Sequence, residues 1–577
     1  MLIKEWVALL RNEFAGYNAG VFQRDLLAGL TVAAVALPLA LAFGVASGAD
    51  AAAGLVTAIL AGIVIGLLGG APYQISGPTG AMSAVLIVLA VRYGMQGVMI
   101  TGLLAGAMIL LLGLLRLGRI VTLIPAPVIS GFTSGIAVII ALGQLDNALG
   151  LKTPAAENVL TKIKDVAEAL PDLNLAALGL TLGVVALMLL WPRLPFGGRV
   201  PGSLAAILLA GLVAALLHLE VPIIGEIPRT ILLEQRLRLT DLRLDLLGEL
   251  WLPAMTIAAL GAIESLLCGA VAGNMTGIRM HNSVELVGQG LGNMLIPFFG
   301  GVPATAAIAR TSVNVKSGGA TRLASVIHGL VLLAAALLFA PLMGRIPLAA
   351  LAGVLLVTAW RMNEWHAIKF YFGRRLKHAI LAFLITLAAT VLLDLTQAIL
   401  IGFGISSLIF MAQLSELEIT RQPLDEARLS EAGHKFNHPG GEILIYYLSG
   451  PLFFAAARRL VEQVEAADPA DATLILSLRG VPLIDATGIE VLREVWHRQH
   501  SGGGRVLLAA LQPRVHSLLE RAGLLDEIGT ERVFWSADRA ILSLGQPIPP
   551  EPEIEEKAGG GLVETLVITP HEDRGEQ

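Results

Sequence analysis

Long apolar stretches with short polar breaks run from Leu26 to about Met411, and a finer alternation replaces them beyond that point. A membrane-crossing helix needs about 20 mostly apolar residues. Fourteen stretches approach that length: 26–46, 52–69, 77–91, 97–115, 120–145, 174–192, 202–218, 251–273, 284–299, 304–315, 322–342, 346–360, 378–393 and 396–412. The stretch 304–315 is too short and polar to cross alone and predicts half a span. Further on, EILIYYLSG, TLILSLRG and RVLLAAL read as strands, each ahead of a helical pattern (PLFFAAARRLVEQVEA, TGIEVLREVWHRQH and QPRVHSLLERAGL). Strands alternating with helices predict a small α/β domain. The chain thus divides into an N-terminal segment 1–23, a membrane domain 24–413, a polar linker 414–440 and an α/β domain 441–545. Residues 546–577, with PIPPEPEIEEK and GGG, read as a disordered tail.

Two stretches repeat. GLVTAILAGIVIGLLGGAP (54–72) aligns without gaps on ELVGQGLGNMLIPFFGGVP (285–303), sharing Leu55/Leu286, Val56/Val287, Ile65/Ile296, Gly69/Gly300, Gly70/Gly301 and Pro72/Pro303. IPAPVISG (124–131) matches IPLAALAG (346–353) at both ends. Seven spans separate the copies, and the odd count turns the second copy upside down in the bilayer. Inverted repeats place a substrate site near the midplane, at the repeat interface. With the N-terminus inside, the inner loops hold Arg116, Arg119, Arg193, Arg199, Arg279, Lys316 and Arg322. The richest holds Arg361, Lys369, Arg374, Arg375 and Lys377, as an excess of Lys and Arg on the cytoplasmic side requires. An even number of spans returns the C-terminus to the cytoplasm.

Composition and chemistry sharpen this picture. The 577 residues are 55% hydrophobic and only 15% charged, against roughly 25% charged in soluble domains, so most of the chain sits in lipid. Gly62, Gly66 and Gly70 stand at four-residue spacing, which lets helices approach closely. The single cysteine, Cys268, excludes intramolecular disulfides and Cys-cluster metal sites. No cleavage motif follows the mixed-charge N-terminus, so 27–45 reads as a retained helix rather than a signal peptide. No nucleotide-binding glycine loop, metal cluster or nucleophile–base pattern points to an enzyme.

Two features carry chemistry. In AALGAIESLLCGAVAG (258–273), Glu264 stands among small and apolar residues, with no basic residue within fourteen positions. A carboxylate in hydrocarbon is costly unless it is protonated, paired or facing water. The second feature is an interrupted segment after each Gly-Gly: ISGPTGAMS (75–83) and VPATAAIARTS (302–312). Backbone that is not helical is tolerated at membrane depth only around a cavity. Two short helices starting there aim free N–H groups and positive dipole ends at one spot, which attracts an anion.

These features together resemble the SulP/SLC26 anion transporter family over roughly residues 20–545. The resemblance rests on DLLAGLTVAAVALPLALAFGVASG (25–48), SGPTGA (76–81), PAPVISGFTSGIAVII (125–140), GAIESLL (261–267), MTGIRMHNSVELVGQGLGN (275–293) and PATAAIARTSVNVKSGG (303–319). It implies an α-helical polytopic membrane protein of fourteen spans in a 7+7 inverted repeat, followed by a small cytoplasmic α/β STAS domain. A core domain (spans 1–4 and 8–11) moves against a gate domain (5–7 and 12–14) in an elevator-like cycle. The expected protein is a homodimer in the plasma (inner) membrane, with both termini cytoplasmic. Relatives bind anions between the starts of spans 3 and 10. Carried over, backbone at Thr79 and Gly80 and at Ala306, Ala307, Ile308 and Ala309 lines the pocket. Leu39 and Phe43, after a break at Pro38, face it from span 1. Both are apolar, so backbone amides and Arg310 must supply the polar contacts. Arg310, placed about two turns into the second half-helix, either provides positive potential there or pairs with Glu264.

Glu264 matches the acidic residue that relatives use for cation coupling. Sodium-coupled bicarbonate members carry Asp there with Thr one turn later. Here Cys268 stands one turn later, and a thiol is a poor sodium ligand, so a proton is the cheaper counter-charge for a buried carboxylate. GAIESLLC with PFFGG and ATAAIAR resembles the bacterial C4-dicarboxylate (succinate-type) members. The expectation is a secondary active, proton-coupled symporter of a small anion: a dicarboxylate such as succinate or fumarate, or sulfate. The alternatives are a sodium-dependent bicarbonate symporter and a passive anion channel or exchanger. No cofactor beyond the coupling proton, no metal and no nucleic acid is implied. In the STAS signature IDATG (484–488), Ala486 follows Asp485 where sigma-factor regulators carry a phosphorylatable Ser. That switch is absent, which leaves a folding and assembly role.

Overall fold

The computed structural model describes residues 2–118, 125–154, 159–193, 200–238, 240, 246–393, 395–414, 417–424, 442–454, 457–467 and 471–544. The chain divides into two compact units, Met1–Ile409 and Phe410–Gln577.

The first unit is helical. An amphipathic α1 (Leu2–Glu13) precedes α2 (Ala19–Ala46), whose cap Asn18 accepts from the N–H groups of Gly20 and Val21. Next, α3 (Ala51–Leu60) runs through a π-helical turn (Ala61–Ile65) into α4 (Gly66–Leu68), and the two-residue β1 (Ser76–Gly77) leads to α5 (Gly80–Leu114). Two spans meet inside α5 at Gly94, whose φ of 65° suits glycine. There follow α6 (Ala126–Gly143), α7 (Leu145–Leu149), α8 (Val159–Ala169), α9 (Leu175–Leu190), α10 (Gly202–Leu216), α11 (Leu247–Thr276) and α12 (Asn282–Leu295). The second two-residue strand, β2 (Thr305–Ala306), precedes α13 (Ile308–Lys316), α14 (Leu323–Met343), α15 (Leu348–Met362), α16 (Trp365–Gly373), α17 (Lys377–Leu392) and α18 (Leu395–Leu414). Each of the fourteen predicted stretches falls on a helix, and the half-span is the nine-residue α13. The break expected at Pro38 does not occur. Helix α2 is continuous through it, because a proline removes only one ladder bond and neighbouring membrane helices absorb that loss.

Helices in lipid associate through close packing of small residues. Between α5 and α12 the backbones touch: a methyl on Gly290 would lie 2.5 Å from the nitrogen of Leu110. Gly62 and Gly66 likewise face α14 at Ser325 and His328. Helices α2, α3, α5 and α11–α14 pack on one another, and α6, α9, α10, α15 and α17 form a second group. The repeat shows in local geometry as well, since α6 and α15 both start from an extended proline, Pro125 and Pro347.

The second unit holds β3 (Glu418–Pro423), β4 (Ile443–Ser449), α19 (Arg458–Ala467), β5 (Thr473–Gly480), α20 (Ala486–Ser501), β6 (Arg505–Ala509), α21 (Pro513–Arg521), α22 (Leu524–Ile528), β7 (Val533–Phe534) and α23 (Ala537–Ser543). The sheet order is β3-β4-β5-β6-β7, antiparallel at β3–β4 and parallel elsewhere. Strand alternation sends Leu444, Tyr446, Leu474 and Leu476 into the main core and Ile443, Ile445 and Ile475 toward α23. Strand β3 occupies part of what the polar composition assigned to a linker. EITRQP has no apolar run, yet an edge strand needs little beyond its backbone ladder. The expected tail 546–577 lies outside the described residues, as does most of the remaining linker.

Candidate anion and proton site

The two interrupted segments meet. Strand β1 pairs antiparallel with β2, Ser76 opposite Ala306 and Gly77 opposite Thr305, and the Ala307 N–H donates to the Ile75 carbonyl at 2.9 Å. Just beyond the pairing, Thr79 caps α5 and Ala307 precedes α13. First-turn N–H groups have no acceptor within their own helix. Two positive helix ends therefore start beside one crossing, one from each repeat.

Arg310 lies in the first turn of α13, not two turns in, because Thr305 and Ala306 form β2, Ala307 is extended and the helix begins only at Ile308. Its side chain is 1% exposed. Nη2 donates to the Pro78 carbonyl at 2.9 Å, whereas Nη1 has no acceptor among the described residues. A methyl on Gly77 would sit 2.5 Å from Nη1, so glycine makes room for the guanidinium. Arg310 and Glu264 form no ion pair; each takes other partners.

Glu264, half-buried on α11, accepts from the Thr79 hydroxyl at 3.0 Å. The same Thr79 Oγ1 caps α5 by accepting from the Met82 N–H at 3.5 Å. One hydroxyl thus touches both the carboxylate and the start of the helix. Around it lie polar groups that the sequence reading passed over. Ser265 Oγ and Thr305 Oγ1 are 2.9 Å apart, and Thr305 donates to the Gly261 carbonyl. The buried Cys268 donates to Thr311 Oγ1 at 3.2 Å, and Thr311 accepts from the Ile75 N–H. The signal was available in part: Ser265 adjoins Glu264, and Thr305 and Thr311 sit in the second interrupted segment.

The remaining predicted residues differ in cover. A methyl on Gly80 would meet Ile140 of α6, Met362 of α15 and Phe43 within 3.2 Å, so the start of α5 is overlaid from the second helix group. Phe43 and Ala306 are buried, and Leu39 is half-buried against the helical core. On the α13 side, Ile308 is 44% exposed and Ala309 is exposed. A cavity of about 680 Å³ runs beside α5 between α2, α6 and α17, lined by Val45, Arg92, Ile140, Asp146 and Lys162. It reaches Ser83, one turn from Thr79, whose hydroxyl donates to the carbonyls of Phe43 and Thr79. Among the described residues, no group of three His, Cys, Asp or Glu is placed to hold a metal ion.

A model of the sulfate permease family matches residues 22–389, and a STAS domain model matches 438–540. The chain belongs to the sulfate permease family. A Bacillus subtilis protein named for sulfate transport is 38% identical over 534 residues, 91% of this chain and 98% of that one. A bicarbonate transporter of Picosynechococcus is 30% identical over 536 residues, covering 90% and 94%. Among solved structures, the murine solute carrier 26 family member A9 anion transporter, inward-facing, matches at TM-score 0.81 and 19% identity over 93% of both chains, a likeness of fold. The transmembrane domain of a cyanobacterial bicarbonate transporter matches at TM-score 0.59 and 32% identity, covering 68% of this chain and 98% of that one. The protein is therefore a multi-pass membrane anion transporter of this family with a STAS domain. These relatives bear sulfate, bicarbonate and general anion-transport names and lend no support to the dicarboxylate resemblance.

Proposed function

We propose that this member of the sulfate permease family is a proton-coupled symporter of a small oxyanion, sulfate or bicarbonate. The observation that carries the reading is Thr79, which hydrogen-bonds Glu264 and caps the helix start at the anion crossing. The anion is held by first-turn N–H groups of α5 and α13 and by the free Nη1 of Arg310. Protonation of Glu264 removes a negative charge beside that pocket and changes what the Thr79 hydroxyl can donate to. Loading of proton and anion is therefore mutually favourable. Sodium is disfavoured as the coupling ion, because Cys268 presents sulfur and its thiol is already bonded to Thr311. The α2–α5 and α11–α14 group carries the site and slides past the α6–α10 and α15–α17 group, whose Ile140 and Met362 cover Gly80. The protein works as a homodimer in the plasma membrane, with cytoplasmic termini.

Proteoliposomes offered labelled sulfate, bicarbonate and succinate test this under an imposed inward proton gradient without sodium. Accumulation of sulfate or bicarbonate that rises as external pH falls is the expected result. A strict sodium requirement at constant pH refutes proton coupling. Accumulation of succinate alone restores the dicarboxylate assignment, and equilibration without accumulation makes the protein a passive exchanger or channel.

A further inference from the structure

We propose that Gln289 and Asn293 are positioning residues for the anion site, holding both crossing strands from a single helix, one through the Ser76 hydroxyl and the other through the Ala304 backbone. Glu285, Gln289 and Asn293 recur every four residues along one face of α12, and none is more than 2% exposed. Gln289 and Asn293 bond the interrupted segments, and Glu285 bonds the Gly-Gly turn ahead of the first. The Glu285 carboxylate accepts from the Gly70 N–H at 2.8 Å. Gln289 Nε2 donates to Ser76 Oγ and to Glu285, both at 2.9 Å. Asn293 grips Ala304 on both sides, accepting from its N–H at 2.7 Å and donating to its carbonyl at 2.8 Å.

The fastening is reciprocal between repeats. Thr57, on α3 of the first repeat, accepts from the Val302 N–H at 2.7 Å and donates to the Val302 carbonyl at 2.9 Å. Each repeat thus holds the other's turn, and α12 adds a hold on both strands: Ser76 in β1 and Ala304 just before β2. Ser76 is the residue that faces Ala306. A shift at either amide therefore moves the starts of α5 and α13 relative to each other. A carboxamide is suited to Ala304 because it supplies one donor and one acceptor side by side. Aspartate keeps only the acceptor and leucine keeps neither. A buried peptide group left unpaired is costly enough that the strand is expected to shift rather than stay orphaned.

The inference rests on the crossing being the anion site, so Arg310→Ala is run alongside. Full-length Asn293→Ala, Asn293→Asp and Gln289→Met proteins are compared by amide hydrogen exchange, by labelled sulfate and bicarbonate binding, and by uptake kinetics. Faster exchange confined to residues 74–80 and 302–309 is expected in Asn293→Ala. The Kd should rise about tenfold, a loss of ~1.4 kcal/mol, with the maximal transport rate per folded molecule nearly kept. Asn293→Asp, which retains one bond, should fall between wild type and Asn293→Ala and covers the case in which alanine prevents folding. A lower yield of folded protein with unchanged Kd means the ladder is structural only and overturns the proposal. Unchanged exchange at both segments overturns it too. Unchanged binding in Arg310→Ala would instead count against the site itself.

Discussion

Arg310 and Glu264 are charged groups beside the crossing, and their separate partners decide how substitutions there should behave. A structural ion pair would couple the two strongly. Because Arg310 bonds Pro78 and Glu264 bonds Thr79, the stability effects of Arg310→Ala and Glu264→Gln should add within about 0.5 kcal/mol. Thermal melts of the two single variants and the double variant measure this, and Arg310→Ala should also weaken anion binding at least tenfold. Thr79→Val keeps shape but removes the hydroxyl. It should leave anion exchange measurable while lowering the protons carried per anion, read from pH-dye and tracer fluxes in parallel. The sequence made Glu264 conspicuous because a charge inside an apolar run needs explaining. Ser265, Thr305 and Thr311 were not conspicuous, since small hydroxyls pass for packing residues until the fold sets them face to face.

Helices were legible for the same reason that lipid is demanding: each span must satisfy its own backbone and offer apolar surface. Their ends were less so. Ala307 precedes α13 without a side-chain cap, and the small residues of VPATA give no stop signal, which is why Arg310 was expected deeper in the helix. Pro38 misled in the opposite sense. A cap invisible in the apolar pattern is Asp25, fully buried on α2. Its carboxylate accepts from the N–H groups of Ala320 and Thr321 at 2.7 and 3.0 Å and from the Thr321 hydroxyl at 2.5 Å. Asp25→Ala orphans these donors ahead of α14 and should cost about 3 kcal/mol, at ~1–3 kcal/mol for each unpaired buried group. A lowered melting temperature in detergent, with anion affinity of the folded fraction unchanged, is the expected reading.

At the scale of the whole molecule, the texture of the sequence changes after Met411 and the two compact units divide at Ile409, while polar β3 lies in what composition alone reads as linker. A truncation between β3 and β4 would leave β3 without its partner, so the informative cut falls after Leu414. That shortened protein should still bind anion with wild-type affinity if it inserts, because every residue of the crossing precedes position 320; binding lost in well-folded truncated protein would assign the STAS unit a direct part. Proton coupling at Glu264 is tested most directly by reconstituting wild type and Glu264→Gln side by side. Glutamine keeps the size and hydrogen bonding of a neutral carboxyl but exchanges no proton. Anion-for-anion exchange of labelled sulfate should continue in the variant, while accumulation driven by an inward proton gradient should vanish. Accumulation equal to wild type would show that Glu264 does not couple the proton.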